Sequence, residues 1–241
     1  MATGGITFNG SSQYLEFTDK VVSSYPMTIV TWVAYGSGGS GEAVASCQGS
    51  TTHDAFMYMS YEVGTSNKYA SDRVPGNSYT VSRNSAPQIT NTDLQLMMAV
   101  FESNQTSIYL GSSSGTTQAQ SPGQTFSNLN RFLVGARRRS AGIENYFAGT
   151  IAEAHVFNVA LTSSDVTTLL TTPPEDVTGW VDGWMLATNS DLTSIGGTRT
   201  LTATGSPTTG SLTLPYTRTV APVITGPSGA AGAATSTKSV A

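Results

Sequence analysis

Charge is scarce in this 241-residue chain. Asp, Glu, Lys and Arg make up 11% of the residues, against roughly 25% in typical globular domains. The net charge is −4, so the composition excludes the broad basic surface on which nucleic-acid binding depends. The one basic run is Arg137-Arg138-Arg139, and three arginines in a loop are typical of a solvated tip.

Cysteine is scarce, and long apolar runs are absent. Cys47 is the single cysteine, which rules out an internal disulfide and a cysteine metal cluster. No stretch approaches the roughly 20 apolar residues of a membrane span. The first residues lack the basic and apolar regions of a signal peptide. We therefore predict no membrane partner and no export by a signal peptide.

Short strands joined by tight turns are what the remaining composition favours. Met27–Tyr35 is apolar at both alternating sets of positions, as in a strand covered on both faces. Asn9-Gly10, between two alternating runs, predicts a β-hairpin over residues 5–17. Residues 62–92 are polar and predict a long loop with weak strands. Further strands are predicted over residues 56–61, 94–101, 107–110, 131–136, 179–186 and 198–204.

One helix interrupts this β pattern. Thr162 is a good N-cap, and Asp165 completes a capping-box pattern, so a helix is predicted over residues 162–170. Pro173-Pro174 then ends it. The preceding residues alternate in two sets, which predicts a strand with Ile151, Glu153, His155 and Phe157 on one face.

The order of these segments resembles the laminin-G-like, concanavalin A-like lectin and glucanase jelly roll. The resemblance covers about residues 4–206 and implies an all-β fold, an antiparallel two-sheet sandwich with one short helix near 162–170. We divide the chain into a sandwich domain, residues 1–214, and a low-complexity C-terminal arm, residues 215–241. The residues that carry the resemblance are the opening run 6–17, the strand around Trp32, Tyr109-Leu110-Gly111, the closing strand 149–161 and the tryptophan-rich strand 179–186.

Catalytic carboxylate pairs are absent from the strand pattern. Glycosidases that resemble this jelly roll place two glutamates on one strand face, since cleavage needs two carboxyl groups roughly 5–10 Å apart. Neither Glu16 with Asp19 nor Glu175 with Asp176 meets this condition. His53 is typical of a polar loop, and a pair of His155 with Glu153 is typical of a stabilising surface or groove contact. We predict a protein without enzymatic activity and without catalytic residues.

Calcium binding has to be considered separately, because the resemblance implies domains that can bind calcium at the edge of a loop. Calcium needs six to eight oxygen ligands. Asp72, Asp93, Asp182 and Asp191 are isolated in sequence, so a site would have to be assembled in three dimensions. We predict no cofactor and no metal site, and calcium stays open as an alternative.

Carbohydrate binding requires exposed aromatic faces flanked by Asn, Asp or Gln. The tryptophans Trp32 and Trp184 lie on strands expected to face the core, which leaves the loop tyrosines. The predicted sugar-binding residues are Tyr58, Tyr61, Tyr69, Tyr79, Asn67 and Asn77.

The C-terminal arm supplies the other functional hypothesis. Its Ala, Gly, Ser, Thr, Pro and Val residues hold too little apolar bulk to form a core, but such an arm can add a strand to a neighbour's sheet. The residues predicted to bind a partner are Pro215, Tyr216, Val220, Val223 and Ile224.

Together with the missing export signal, the arm favours a non-enzymatic virion protein of a tailed bacteriophage. It would decorate or cement a capsid, or sit on a tail, and bind other virion subunits such as the major capsid protein or copies of itself. The alternative is an extracellular, lectin-like module that binds host or environmental glycans.

Overall fold

The described residues form a sandwich of short antiparallel strands with one α-helix, α1 (Ser163–Leu169), and one short 3-10 helix, Pro174–Asp176. The computed structural model describes residues 3–36, 40–49, 56–62, 67–73, 80–84, 94–111, 114–119, 129–139, 142–217, 219–220 and 238–239. The strands run in chain order as β1 (Thr3–Asn9), β2 (Tyr14–Phe17), β3 (Met27–Tyr35), β4 (Ser40–Gln48), β5 (Phe56–Glu62), β6 (Asn67–Arg73), β7 (Thr80–Asn84), β8 (Gln95–Glu102), β9 (Gln105–Leu110), β10 (Gly115–Ala119), β11 (Arg131–Val134), β12 (Arg137–Arg139), β13 (Gly142–Glu144), β14 (Ala148–Phe157), β15 (Trp180–Met185), β16 (Thr202–Thr204), β17 (Thr208–Thr213), β18 (Thr219–Val220) and β19 (Lys238–Ser239).

Two large sheets build the sandwich. Sheet A has eight strands in the order β10-β9-β8-β3-β14-β1-β17, with β15 also paired to β14. Sheet B has seven strands in the order β16-β2-β11-β4-β5-β6-β7. Some neighbouring strands are consecutive in the chain, such as β4 to β7, whereas others, such as β1 and β14, are far apart, as in a jelly roll. The predicted all-β, two-sheet antiparallel fold with one α-helix is therefore confirmed.

The predicted hairpin over residues 5–17 is wrong. β1 pairs with β14 and β17 in sheet A, whereas β2 pairs with β11 and β16 in sheet B. The Asn9 carboxamide oxygen accepts hydrogen bonds from the backbone N–H groups of Ser11 and Ser12, and Gly10 has a φ of 72°. The turn is therefore tight, but it carries the chain from one sheet to the other.

The inner core lies between the two sheets. β3 is buried along its whole length, which confirms the prediction of a strand covered on both faces. Trp184 of sheet A stacks on Phe132 of sheet B at a centroid distance of 5.0 Å. Burying aromatic and aliphatic side chains of this size contributes about 1.5–3 kcal/mol each, so this layer holds the sheets together.

A second core covers part of the outer face of sheet A. Val166 and Leu169 of α1 pack there with Trp32 and Val30 of β3. The helix begins where predicted, because the Asp165 carboxylate accepts hydrogen bonds from both the backbone N–H and the hydroxyl of Thr162. The helix anchors the outer layer that also receives the C-terminal segment.

A bulge in β14 divides its side chains between the two cores. The register with β3 shifts between Ile151 and Glu153, so Ala152 is the additional residue. Ile151 consequently faces the inner core, and Ala152 and Phe157 face the outer one. The predicted placement of Ile151 beside Glu153 and His155 is wrong, since strict alternation assumes an unbroken ladder.

Candidate functional site

A buried polar network occupies the outer face of β14. His155 Nε2 lies 3.0 Å from Glu153 Oε2, and both side chains are 0% exposed. Trp180 Nε1 donates to His155 Nδ1 at 3.3 Å, so Nε2 carries the proton and donates to the carboxylate. The predicted pairing of Glu153 with His155 is present, but it is internal and lies on no surface or groove.

Tyr216 completes this network. Its hydroxyl donates to Glu153 Oε2 at 2.5 Å, and its ring lies edge-on to Trp32 with centroids 6.0 Å apart. Tyr216 is 5% exposed and is covered by its own domain, and its role in binding a partner stays a prediction. The Glu153 and His155 side chains of the network are closed off from solvent.

The other predicted arm residues have different placements. Pro215 is exposed. The backbone of Val220 pairs with Lys238 of the same chain. Val223 and Ile224 lie outside the described residues, and the partner-binding role of Pro215, Val220, Val223 and Ile224 stays a prediction.

Of the four aspartates considered for calcium, Asp182 and Asp191 have carboxylates that accept hydrogen bonds from the protein. Asp182 Oδ2 accepts from Arg199 Nη1 at 2.6 Å, and its Oδ1 accepts from the N–H of Gly183. Asp191 Oδ1 accepts from the N–H of Thr193 at 3.3 Å. No group of three metal-binding side chains occurs among the described residues. Asp93 lies outside them, and of Asp72 only the backbone pairing is described.

The predicted sugar-binding tyrosines fall on sheet B. Tyr58 pairs with Ser46 and Ser71, and Tyr69 pairs with Ser60. Because residues directly opposite in a ladder occupy one face, Tyr58, Tyr69 and Asn67 hold positions on the outer face. Tyr61 holds the alternate position. Tyr79 and Asn77 lie outside the described residues.

A pair of tyrosines that the sequence did not single out lies on the same side of the sandwich. Tyr14 of β2 alternates with the buried Leu15 and therefore lies on the outer face of sheet B. Its ring meets that of Tyr146 at a centroid distance of 6.3 Å and an interplanar angle of 46°. Both tyrosines are half-buried. The available signal was an amide residue directly before each one, Gln13 and Asn145.

The residue before Tyr14 anchors the start of β2. Gln13 Nε2 donates to the carbonyl oxygens of Gly205 and Ser206 at 2.9 and 3.0 Å. On the same face, Glu16 forms an ion pair with Arg131. We call the Tyr14 and Tyr146 rings, together with the outer-face positions Tyr58 and Tyr69, the tyrosine face.

The arginine run lies over β4, between the Tyr14–Tyr146 pair and the β5 and β6 positions of this face. β12 and β13 form a two-stranded ribbon, and the backbone N–H of Arg138 donates to Gln48 Oε1 of β4 at 2.6 Å. Arg137 forms an ion pair with Glu144 at 2.7 Å, and its side chain is 14% exposed. The interpretation of this run as a solvated tip is therefore wrong for Arg137.

Comparison with known proteins identifies the family. The family model Laminin_G_3, described as the concanavalin A-like lectin/glucanases superfamily, matches residues 9–167. The chain belongs to this superfamily. This match agrees with the resemblance that the order of the predicted strands and helix indicated. No curated protein sequence matches the chain significantly.

Three solved structures illustrate the fold. A putative carbohydrate-binding protein from Bacteroides ovatus superposes with a TM-score of 0.58 at 14% identity, over 88% of this chain and 60% of that one. The CBM40 of a Ruminococcus gnavus sialidase, bound to α2,3-sialyllactose, gives 0.55 at 13% identity, over 68% and 95%. Domain 4 of an extracellular arabinanase from Geobacillus stearothermophilus, in complex with arabinotriose, gives 0.54 at 16% identity, over 68% and 75%.

At these identities the comparisons establish the fold of the chain. None of the three structures is described as a virion protein, so the capsid and tail roles stay predictions, as does the absence of enzymatic activity. No helix among the described residues is long and apolar enough to cross a membrane.

Proposed function

We propose that the protein is a glycan-binding module and that the tyrosine face is its binding surface. The observation that carries the proposal is the contact between Tyr14 and Tyr146 on the outer face of sheet B, with centroids 6.3 Å apart. The fold relatives support it, because two of them are structures of sugar complexes. An extracellular setting follows from this function.

Paired tyrosine rings suit a sugar for two reasons. The apolar ring faces accept the C–H side of a pyranose or furanose, and each phenol can donate or accept a hydrogen bond at its edge. The strand that carries Tyr14 is also anchored, since Gln13 ties the start of β2 to residues 205–206. A surface that is ordered before binding loses less conformational entropy on binding.

The extent of the face favours an oligosaccharide over a single sugar. β2 and β5 are separated by β11 and β4, which is three strand spacings or roughly 14 Å. The ribbon of β12 and β13 covers β4 between the two sites, since Ser46 and Gln48 are buried beneath it. A glycan that contacts both the Tyr14–Tyr146 pair and the Tyr58 position would therefore have to be long enough to pass over the ribbon. The ion pair of Glu16 with Arg131 supplies charged hydrogen-bonding groups on the same face.

The test is a glycan array followed by calorimetry on the strongest ligand. We expect Tyr14→Ala and Tyr146→Ala each to weaken glycan binding by about tenfold. Tyr58→Ala and Tyr69→Ala should cause an additional loss of affinity for longer glycans. Tyr109→Ala, on sheet A, is the matched control and should bind as the parent does. An array without saturable binding, or equal affinities for Tyr14→Ala and Tyr109→Ala, would contradict the proposal.

A further inference from the structure

A cleft of about 570 Å³ opens on the opposite side of the sandwich, on the outer face of sheet A. The second core covers one end of that face, where α1, Leu214 and Tyr216 pack over Trp32. Ala34 lies two residues beyond Trp32 on the same face of β3 and forms part of the floor of the cleft. Leu212 of β17 forms one wall of the cleft. The same side chain packs against the second core, so it separates the cleft from that core.

Small side chains create the cleft. Ala34, Thr150 and Thr7 follow one another across β3, β14 and β1 in register. None of them is large enough to fill the space that the helix and Tyr216 fill at the other end. A volume of this size lies within the roughly 300–1,000 Å³ that is typical of pockets for small ligands.

Hydroxyl groups line the floor. Thr7 Oγ1 and Thr150 Oγ1 are 2.8 Å apart, so one hydroxyl donates to the other. Each hydroxyl has one donor and two acceptor positions, and the pair can therefore offer a second O–H and further lone pairs to a ligand. Ser211 at the rim is exposed and adds a third hydroxyl.

Gly210 preserves the space around this pair. A Cβ atom at residue 210 would lie 2.7 Å from both Thr7 Oγ1 and Thr150 Cγ2, closer than van der Waals contact allows. Any larger residue here would press on the two threonines and displace their hydroxyls. This observation is independent of the volume, and it indicates that the hydroxyl pair depends on a glycine in the edge strand.

The cleft carries no charge. Its lining contains Thr, Asn, Ser, Gly, Ala, Phe, Tyr and Leu, and none of the described lining residues is Asp, Glu, Lys, Arg or His. A charged ligand would lose hydration in the cleft without gaining an ionic partner there, which is unfavourable. A ligand rich in hydroxyl groups and free of charge matches the donors, acceptors and apolar walls that are present.

We infer that this cleft is a second binding site, specific for a neutral mono- or disaccharide. It lies on the other sheet from the tyrosine face and shares no residue with it. Binding at this cleft can therefore be tested independently of binding at the tyrosine face.

The test compares neutral hexoses with charged sugars that keep the same ring. Glucose, galactose and mannose are titrated into the ¹⁵N-labelled protein beside their uronic acids and their 2-amino sugars. At least one neutral hexose should shift the amide resonances of Thr7, Thr150 and Ser211, with its charged counterparts at least about tenfold weaker. No shift at tens of millimolar hexose, or a uronate that binds as tightly as its hexose, would overturn the inference.

Two variants tie the binding to the cleft. Thr150→Val removes one hydroxyl at nearly constant shape and should weaken hexose binding about 2- to 10-fold, and Gly210→Ala should weaken it at least as much. The control is Thr117→Val, which disrupts a similar hydroxyl pair with Ser107, 2.7 Å apart, outside the cleft. Tyr14→Ala should leave the shifts intact. Undiminished binding by Thr150→Val, or loss in Tyr14→Ala, would contradict the assignment.

Discussion

The hydroxyl of Tyr216 donates a hydrogen bond to Glu153 Oε2 at 2.5 Å, although the two residues lie 63 positions apart. Through it, the last described part of the sandwich is fastened to the central strand β14. Glu153 Oε2 also accepts from His155, so two side chains donate to one buried carboxyl oxygen. The C-terminal segment is therefore a layer of the domain up to Tyr216.

Tyr216→Phe should lower the free energy of unfolding by about 1–3 kcal/mol. The variant keeps the ring against Trp32 but removes one of two donors to a buried carboxyl oxygen, whose other donor is His155. Urea unfolding measures the difference. Tyr146→Phe, at a half-buried tyrosine, is the control and should change stability by less than about 0.5 kcal/mol. Equal losses in the two variants would show that the hydroxyl of Tyr216 is unimportant.

Gly183→Ala should destabilise the protein by about 1–3 kcal/mol, the usual cost of overpacking. A Cβ atom at residue 183 would lie 2.1 Å from His155 Nδ1, so the imidazole must leave its position between Trp180 and Glu153. A double-mutant cycle with His155→Ala checks the cause. In the His155→Ala background the same change should cost much less, and an unchanged cost would place the strain elsewhere.

Truncation should locate the end of the folded domain. A chain that ends at Thr217 should keep its stability to within about 0.5 kcal/mol, since Tyr216 is the last described residue of the second core. A chain that ends at Thr213 loses Leu214 and Tyr216, both 5% exposed, and should lose about 3–5 kcal/mol. Thermal and urea unfolding of the two chains provide the comparison. Similar losses in both would move the boundary beyond residue 217.

Cys47 should be unreactive in the native protein. Burial raises the pKa of its thiol from 9.0 to about 12, so the nucleophilic thiolate is suppressed. Ellman's reagent at pH 8 should label Cys47 only after denaturant is added, and rapid stoichiometric labelling without denaturant would contradict this. Above about pH 9 the thiol ionises in the unfolded chain only, so stability should fall as the pH rises towards 12. Cys47→Ala should remove this part of the pH dependence.

Local signals in the sequence were sufficient for individual elements. The helix starts at Ser163 because Thr162 and Asp165 form their capping contacts within four residues. The burial of β3 on both faces was likewise visible as an unbroken apolar run. The sequence pattern that predicts each feature lies in neighbouring residues. The stability of both features, however, depends on contacts with distant parts of the chain.

The partners of each strand were harder to predict from the sequence. The Asn9-Gly10 pattern indicated a tight turn correctly, but a turn does not specify whether the next strand joins the same sheet. The bulge at Ala152 also had no local signal. Each depends on which strands lie opposite, and those partners come from distant positions in the chain.

The candidate sites show the same division. The sequence alone determined an all-β sandwich of the laminin-G-like kind, low in charge, with one capped helix and tyrosines as candidate sugar contacts. Only the tertiary structure decided that Tyr14 meets Tyr146, that Thr7 meets Thr150 in an uncharged cleft, and that Tyr216 is internal. Side-chain periodicity is a local property of the backbone, whereas contacts across a jelly roll join residues more than a hundred positions apart, as Thr7 and Thr150 are.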